Sequence, residues 1–198
     1  VDEHRWPLLG YGDKDFGEDI QWAQDPLTGY VWPLDYHADI NLMRGDGSDA
    51  RVLWELNRLG HFVTLARAYF ITNDERYSAE FFSQLRSWDE QNPYGRGANW
   101  ACAMEVALRV MNLMAAFHVF RHSPHFDCDS LELLLRLFQE HGDYICDHEE
   151  FSHIATSNHY LSNLAGMVWL GNFLLEYRDS EYWSNTGSVN LLEEMDKQ

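Results

Sequence analysis

The chain has 198 residues, with 32 Asp plus Glu against 14 Lys plus Arg, 45% hydrophobic and 15% aromatic content. That is enough apolar mass for one substantial core and too much for a disordered segment. A net charge of −18 offers no broad basic surface to a phosphate backbone or an anionic bilayer, so neither nucleic acid nor membrane is expected as a partner, although a local basic pocket is compatible with it. The three cysteines, Cys102, Cys128 and Cys146, lack CxxC spacing and cannot all pair within the chain. They predict neither a disulfide framework nor a structural zinc site, and no metal or cofactor is expected. The chain opens at Val1 without a charged and apolar leader, so any targeting segment is expected to be removed or to lie outside these residues. No apolar run reads as long enough to cross a bilayer.

Residues 1–51 scatter Trp6, Trp22, Tyr30, Trp32 and Tyr36 among Gly, Asp and Pro without a steady period. They read as an irregular lead-in whose aromatics pack on the helical remainder of the chain. From Val52 onward Leu56, Leu59, Val63, Ala66 and Phe70 recur at three- and four-residue steps, which predicts a first helix over about 52–71. Asn73 and Asp74 supply a cap for a second helix striped by Tyr77, Phe81, Leu85 and Trp88, and Asn92-Pro93 stops it. After the loop Tyr94-Gly95-Arg96-Gly97, a third helix carries Trp100, Met104, Ala107, Met111 and Ala115 to about Phe120. Leu131, Leu134, Leu135, Phe138 and Ile145 form a fourth behind Asp127 or Asp129, and Ser157 caps a fifth containing Leu161, Leu164, Ala165, Val168 and Leu175. A weaker sixth starts near Ser180, is interrupted at Gly187 and resumes through Val189, Leu192 and Met195. No segment alternates over strand length. The reading is therefore all-α, with three antiparallel helical hairpins over 52–198 whose first helices start near 52, 101 and 158, a repeat of about fifty residues at the level of architecture.

If the first, third and fifth helices run the same way, their N-terminal ends share one rim, and those ends are polar. Trp54, Asn57, Arg58 and His61 share a face apart from the apolar stripe. Asn99-Trp100 opens the third helix, in which Glu105 and Arg109 stand at i, i+4. Ser157-Asn158-His159-Tyr160, just after His153, sets an amide, an imidazole and a phenol at a positive helix N-terminus, which suits an acidic substrate group. Each has a structural alternative: Ser157 or Asn158 as caps, Glu105 with Arg109 as a helix-stabilising pair, His61 and His153 as core or surface histidines, Trp54 and Trp100 as core. No GxGxxG, GxxxxGK[ST], HExxH or GxSxG motif occurs. The run Asp147-His148-Glu149-Glu150 reads as a solvated acidic helix end rather than a metal cluster.

The strings WELNRLGHFVTLARAYFITNDERY at 54–77, NPYGRGANWACAMEVALRVMNL at 92–113 and SNHYLSNLAGMVWLG at 157–171 resemble the heparinase II/III-like polysaccharide lyases. The lead-in WAQDPLTGYVWPLDYHADI and the tail GSVNLLEEMDKQ extend the likeness over nearly the whole chain. The resemblance implies an incomplete α/α toroid, a piece of a larger enzyme whose β-sandwich is absent from these residues, and a bacterial periplasmic or extracellular setting. It implies β-elimination in a uronic-acid-containing polysaccharide such as a glycosaminoglycan or alginate, a step that needs the uronate carboxylate neutralised, a base for the C5 proton and an acid for the departing O4. Asn158-His159 matches the family's carboxylate-binding pair, so Asn158 is expected to donate to the carboxylate and His159 to assist it or act as base. Trp54, Arg58, Asn99, Trp100, Glu105, Arg109 and Tyr160 are expected to bind substrate or brace the cleft. The family's acid, a tyrosine, lies on a segment after Gln198, and Tyr160 points too far around the helix from Asn158 to replace it. Where some relatives carry a glutamate three residues after the histidine, this chain has Ser162, which leaves the polymer open.

Two other readings stand beside this one. A glycoside hydrolase on an α/α toroid would need two carboxylates flanking a sugar bond, for which Glu55 and Glu105 are nearest. A non-catalytic helical-repeat module would use the same aromatics for binding alone. The expected partners are an acidic polysaccharide, against which the charge of −18 weighs unless the cleft offsets it locally, and a second copy through an exposed toroid seam.

Overall fold

Leu59 breaks the first predicted helix in two. Its backbone sits in the left-handed region at φ 58°, where the Cβ of an L-residue crowds the carbonyl oxygen at a cost that packing must offset; its side chain is fully buried in the main core. The computed structural model, which describes residues 3–197, therefore shows α1 at Ala50–Asn57 and α2 at Gly60–Thr72. The carbonyl of Arg58, freed at the break, accepts from Asn112 Nδ2 at 2.8 Å. The remaining helices are α3 (Arg76–Gln91), α4 (Ala103–Phe120), α5 (Cys128–Asp147), α6 (Asn158–Phe173) and α7 (Ser180–Met195). Two three-residue strands, β1 (Arg5–Pro7) and β2 (Asp13–Asp15), form an antiparallel hairpin in the lead-in, with Trp6 opposite Lys14. They are too short to show an alternating pattern in sequence.

Side-chain caps mark the starts of α1, α5 and α6. Asp127 accepts from the Ser130 amide at 2.8 Å and Ser157 Oγ from the His159 amide at 3.1 Å, each satisfying a donor the helix leaves open. Asp74 accepts from the Arg76 amide, whereas Asn73 ends α2 in a left-handed conformation instead of capping α3. The third predicted helix begins later than its apolar pattern: Ala98–Trp100 is a single 3-10 turn, Cys102 is extended, and α4 starts at Ala103. Gly187 does not interrupt the last helix. A Cβ there would sit 3.1 Å from Met167 Cβ and Val168 Cγ2, so its bare backbone is what lets α7 lie against α6.

α2 packs beside α4 and α4 beside α6, while α3, α5 and α7 fold back on α2, α4 and α6 respectively. Three hairpins stacked side by side make an arc, an incomplete α/α toroid. α4 stands at its centre. By length and composition this helix is apolar enough to cross a membrane, contrary to the sequence expectation, but Val106, Ala107, Val110, Leu113 and Met114 are buried between its neighbours, and Glu105 and Arg109 lie within it. The lead-in wraps the arc. Trp6, Leu8, Ile20 and Trp22 enter the main core, and Trp32 and Ile40 form a second cluster with Ala50, Leu53 and Ala98. The Trp22 carbonyl accepts from both Asn57 Nδ2 (2.9 Å) and Asn99 Nδ2 (3.0 Å), and Asn57 Oδ1 accepts from Trp88 Nε1 (2.9 Å). Buried amides thereby join the lead-in to α1, to the turn before α4 and to α3.

Candidate active site

The starts of α4 and α6 and the α1–α2 break meet on one rim, where they surround a cleft of about 550 Å³ lined by Tyr11, Trp54, Arg58, Met104, Glu105 and His159 among others. Arg58, turned inward by the break at Leu59, reaches across to the first turn of α4. Its Nε donates to Glu105 Oε2 at 2.6 Å and its Nη2 to Oε1 at 2.8 Å, while Nη1 donates to Glu55 Oε2 at 2.6 Å. Such a fork-on-carboxylate pair is strong and directional, and it raises the Arg58 pKa further above its ordinary value. The arrangement differs from the expected Glu105–Arg109 pair, because Glu105 is engaged by Arg58. Trp54 is half-buried and donates through Nε1 to the Ala98 carbonyl at 2.7 Å, which ties its indole to the cleft wall.

At the opposite side, His159 Nδ1 lies 2.9 Å from Glu150 Oε1, and Glu150 Oε2 accepts from the Met104 amide at 2.8 Å. A carboxylate accepts only, so the Nδ1 proton belongs to the ring and a neutral His159 keeps its lone pair on Nε2. Cys102 Sγ stands 3.6 Å from Glu150 Oε1 and 3.8 Å from His159 Nδ1. Burial and the Glu150 charge push the Cys102 thiol up to about 12, so the unligated sulfur is no nucleophile at neutral pH. Asn158 is exposed at the first position of α6, and its amide makes one long contact, Nδ2 to Met104 Sδ at 3.6 Å, too weak to occupy the donor.

Arg58, Glu105, Trp54 and His159 thus line one cleft, and Asn158 borders it through its contact with Met104. The other expected substrate contacts do not reach it. Trp100 and Asn99 are buried at 0% and 2% exposure and Arg109 at 1%, beneath the cleft. Arg109 Nη1 donates to the Asn99 carbonyl at 3.1 Å and Nε to His141 Nε2 at 2.9 Å, and its guanidinium lies over Trp88 and Trp100. Burial lowers the Arg109 pKa to about 9, which leaves it charged at neutral pH; burial and that charge hold His141 well below its usual value, so His141 accepts from Arg109 and donates Nδ1–H to Leu137 O. Together they form a buried network behind the start of α4. Tyr160 is buried beside Phe151, and His61 is a core residue 2.8 Å from Gln84 and stacked on Trp6. Glu55 and Glu105 are both engaged by the Arg58 guanidinium and Glu105 is 1% exposed, whereas a hydrolase needs two carboxylates free to face a sugar bond. Sequence reasoning missed Glu150, which belonged to an acidic run with no marker to separate it from solvated neighbours.

Comparison with known proteins agrees with this architecture. The family described as "Heparinase II/III N-terminus" matches residues 3–198. A heparin-sulfate lyase of Pedobacter heparinus is 29% identical over 197 residues, 97% of this chain and 26% of that protein. One from Bacteroides stercoris is 24% identical over 192 residues, 87% of this chain and 25% of that protein. The crystal structure of heparan sulfate lyase HepC from Pedobacter heparinus superimposes with a TM-score of 0.81 at 28% identity, covering 100% of this chain and 28% of the other. The chain spans about a quarter of the length of these relatives. With a family match over residues 3–198 and a shared fold, the chain belongs to the heparinase II/III N-terminal family.

Proposed function

We propose that the chain is the toroid part of a larger polysaccharide lyase that cleaves an acidic, uronate-containing polymer by β-elimination, with a heparan-sulfate-type chain as the first substrate to test. The observation that supports this most is the placement of Asn158 and His159 in the first turn of α6, on the rim that also holds Arg58. There the helix dipole and the uncommitted Asn158 amide favour a carboxylate. Stabilising the charge that spreads onto that carboxylate as C5 loses its proton is where the catalytic gain lies. His159, steadied by Glu150, offers Nε2 either as a second donor when charged or as the proton acceptor when neutral. The acid for O4 is assigned to a segment beyond Gln198.

The test is ultraviolet absorbance, which tracks the unsaturated uronate, with heparan sulfate and other uronate polymers and the full-length protein. Absorbance should grow for the full-length protein. It should fall by about 100-fold or more for Asn158→Ala with the circular dichroism unchanged, in keeping with loss of a transition-state donor. Turnover by Asn158→Ala at the parent rate would overturn the site assignment, and new reducing ends without absorbance would overturn the lyase reading.

A further inference from the structure

We infer that Cys102, Glu150 and His159 form a binding site for a divalent transition-metal ion of the zinc class. The three donors come from separate parts of the chain, the extended residue before α4, the loop after α5 and the first turn of α6, and their ligand atoms all lie within 4.8 Å of one another. Cys102 Sγ, Glu150 Oε1 and His159 Nδ1 are separated by 3.6 Å (S to O), 3.8 Å (S to N) and 2.9 Å (O to N). In a tetrahedral zinc site with Zn–S of about 2.3 Å and Zn–N and Zn–O of about 2.0 Å, the corresponding edges are about 3.5, 3.5 and 3.3 Å. The first two separations lie within about 0.3 Å of these. The third opens by about 0.4 Å when the direct His159–Glu150 hydrogen bond gives way to a shared ion.

The chemistry of the donors selects the ion. A thiolate with an imidazole favours a borderline-soft metal over calcium or magnesium, which take oxygen shells. A coordinated thiol gives up its proton to solvent, so a Cys102 thiolate and a Glu150 carboxylate balance the two positive charges with His159 neutral. The supporting shell is present before any ion: Glu150 Oε2 is held by the Met104 amide (2.8 Å) and the Glu150 amide donates to Asn163 Oδ1 (2.9 Å), which fixes the carboxylate with Oε1 toward Cys102 and His159. Three protein ligands leave the fourth position for water or an added group, the pattern of an open rather than a closed site. With Nδ1 on the ion the ring proton of neutral His159 sits on Nε2, so the ion-bound ring can donate to a carboxylate but not take a proton, and the acceptor role belongs to the ion-free chain; the inference stands on these ligands alone and does not rest on the lyase reading.

Cobalt(II) is the probe, since a tetrahedral cobalt thiolate shows a ligand-to-metal charge-transfer band together with intense visible bands. Titration of the purified chain with Co²⁺ should develop both, and Zn²⁺ should bleach them. Cys102→Ser should abolish the charge-transfer band and Glu150→Gln should weaken Zn²⁺ binding by about tenfold or more. The double variant Cys128→Ser, Cys146→Ser should retain the spectrum, and it decides the question even if Cys102→Ser folds poorly. A chain without a charge-transfer band, a band that survives Cys102→Ser, or a band lost with Cys128 and Cys146 would overturn the proposal. None of these readouts depends on turnover, so failure of the lyase reading leaves them unchanged.

Discussion

Arg58 shows how the site is built at the level of single side chains: one guanidinium spans Glu55 and Glu105 and closes the first hairpin on the second. Its position was legible because Trp54 and Arg58 stand at i, i+4 on one face, whereas Asn57, expected on that face, is buried against Trp22 and Trp88. Its partner was not, because a 47-residue separation to Glu105 is invisible to a pattern that works through neighbours at i, i+3 and i, i+4. The same holds for Glu150 and His159. His61 and His141 carry a prediction of their own. Burial drives His61 down to about 3 and His141 well below its usual value, so both stay neutral in the folded chain while their unfolded counterparts bind protons below about pH 6.5. Stability should therefore be complete above about pH 6.5 and fall on acidification, by about 1.4 kcal/mol per pH unit for each histidine. Urea midpoints across the range from about pH 7 to pH 5 check this, and His61→Gln should flatten the slope. A flat profile in the parent chain would show that these rings are not held neutral.

Among the helices, apolar periodicity was sufficient to find the three hairpins, since each element exposes one face and buries the other. It failed where the backbone departs from that period: at Leu59, whose left-handed turn keeps the apolar step while splitting the helix, and at Gly187, where a weak helix former is retained for contact. Gly171 lies on the same α6–α7 interface, and a Cβ on it would collide with the Ser180 carbonyl and the Ser184 backbone. Because backbone cannot yield as a flexible side chain does, Gly171→Ala should destabilise by about 1–3 kcal/mol, lowering Tm by about 3–10 °C. Gly60→Ala is the contrast. Its Cβ would meet Asn112 Nδ2 at an ordinary 3.9 Å, and its Tm should stay level or rise. Equal losses for the two variants would remove the close-approach explanation.

For the molecule as a whole, α7 is the outermost helix of the arc, and Tyr182, Val189, Leu192 and Met195 lie exposed along one stripe of it. A hairpin array buries such a stripe against its next neighbour, and we propose that in the isolated chain a second copy supplies that cover. Sedimentation should show concentration-dependent association that Leu192→Glu abolishes; a parent chain that stays monomeric at all concentrations would reject the pairing. At the other end of the chain the lead-in has a mechanical part to play. Stacked hairpins touch only their neighbours, so an arc of them is free to splay. The lead-in crosses that grain: the Trp22 carbonyl is bonded to Asn57 and Asn99, and His37 Nδ1 lies 2.9 Å from Tyr144 Oη. A strap of non-helical chain thereby sets the curvature between the first two hairpins, and with it the span across which Arg58 and Glu105 can remain in register.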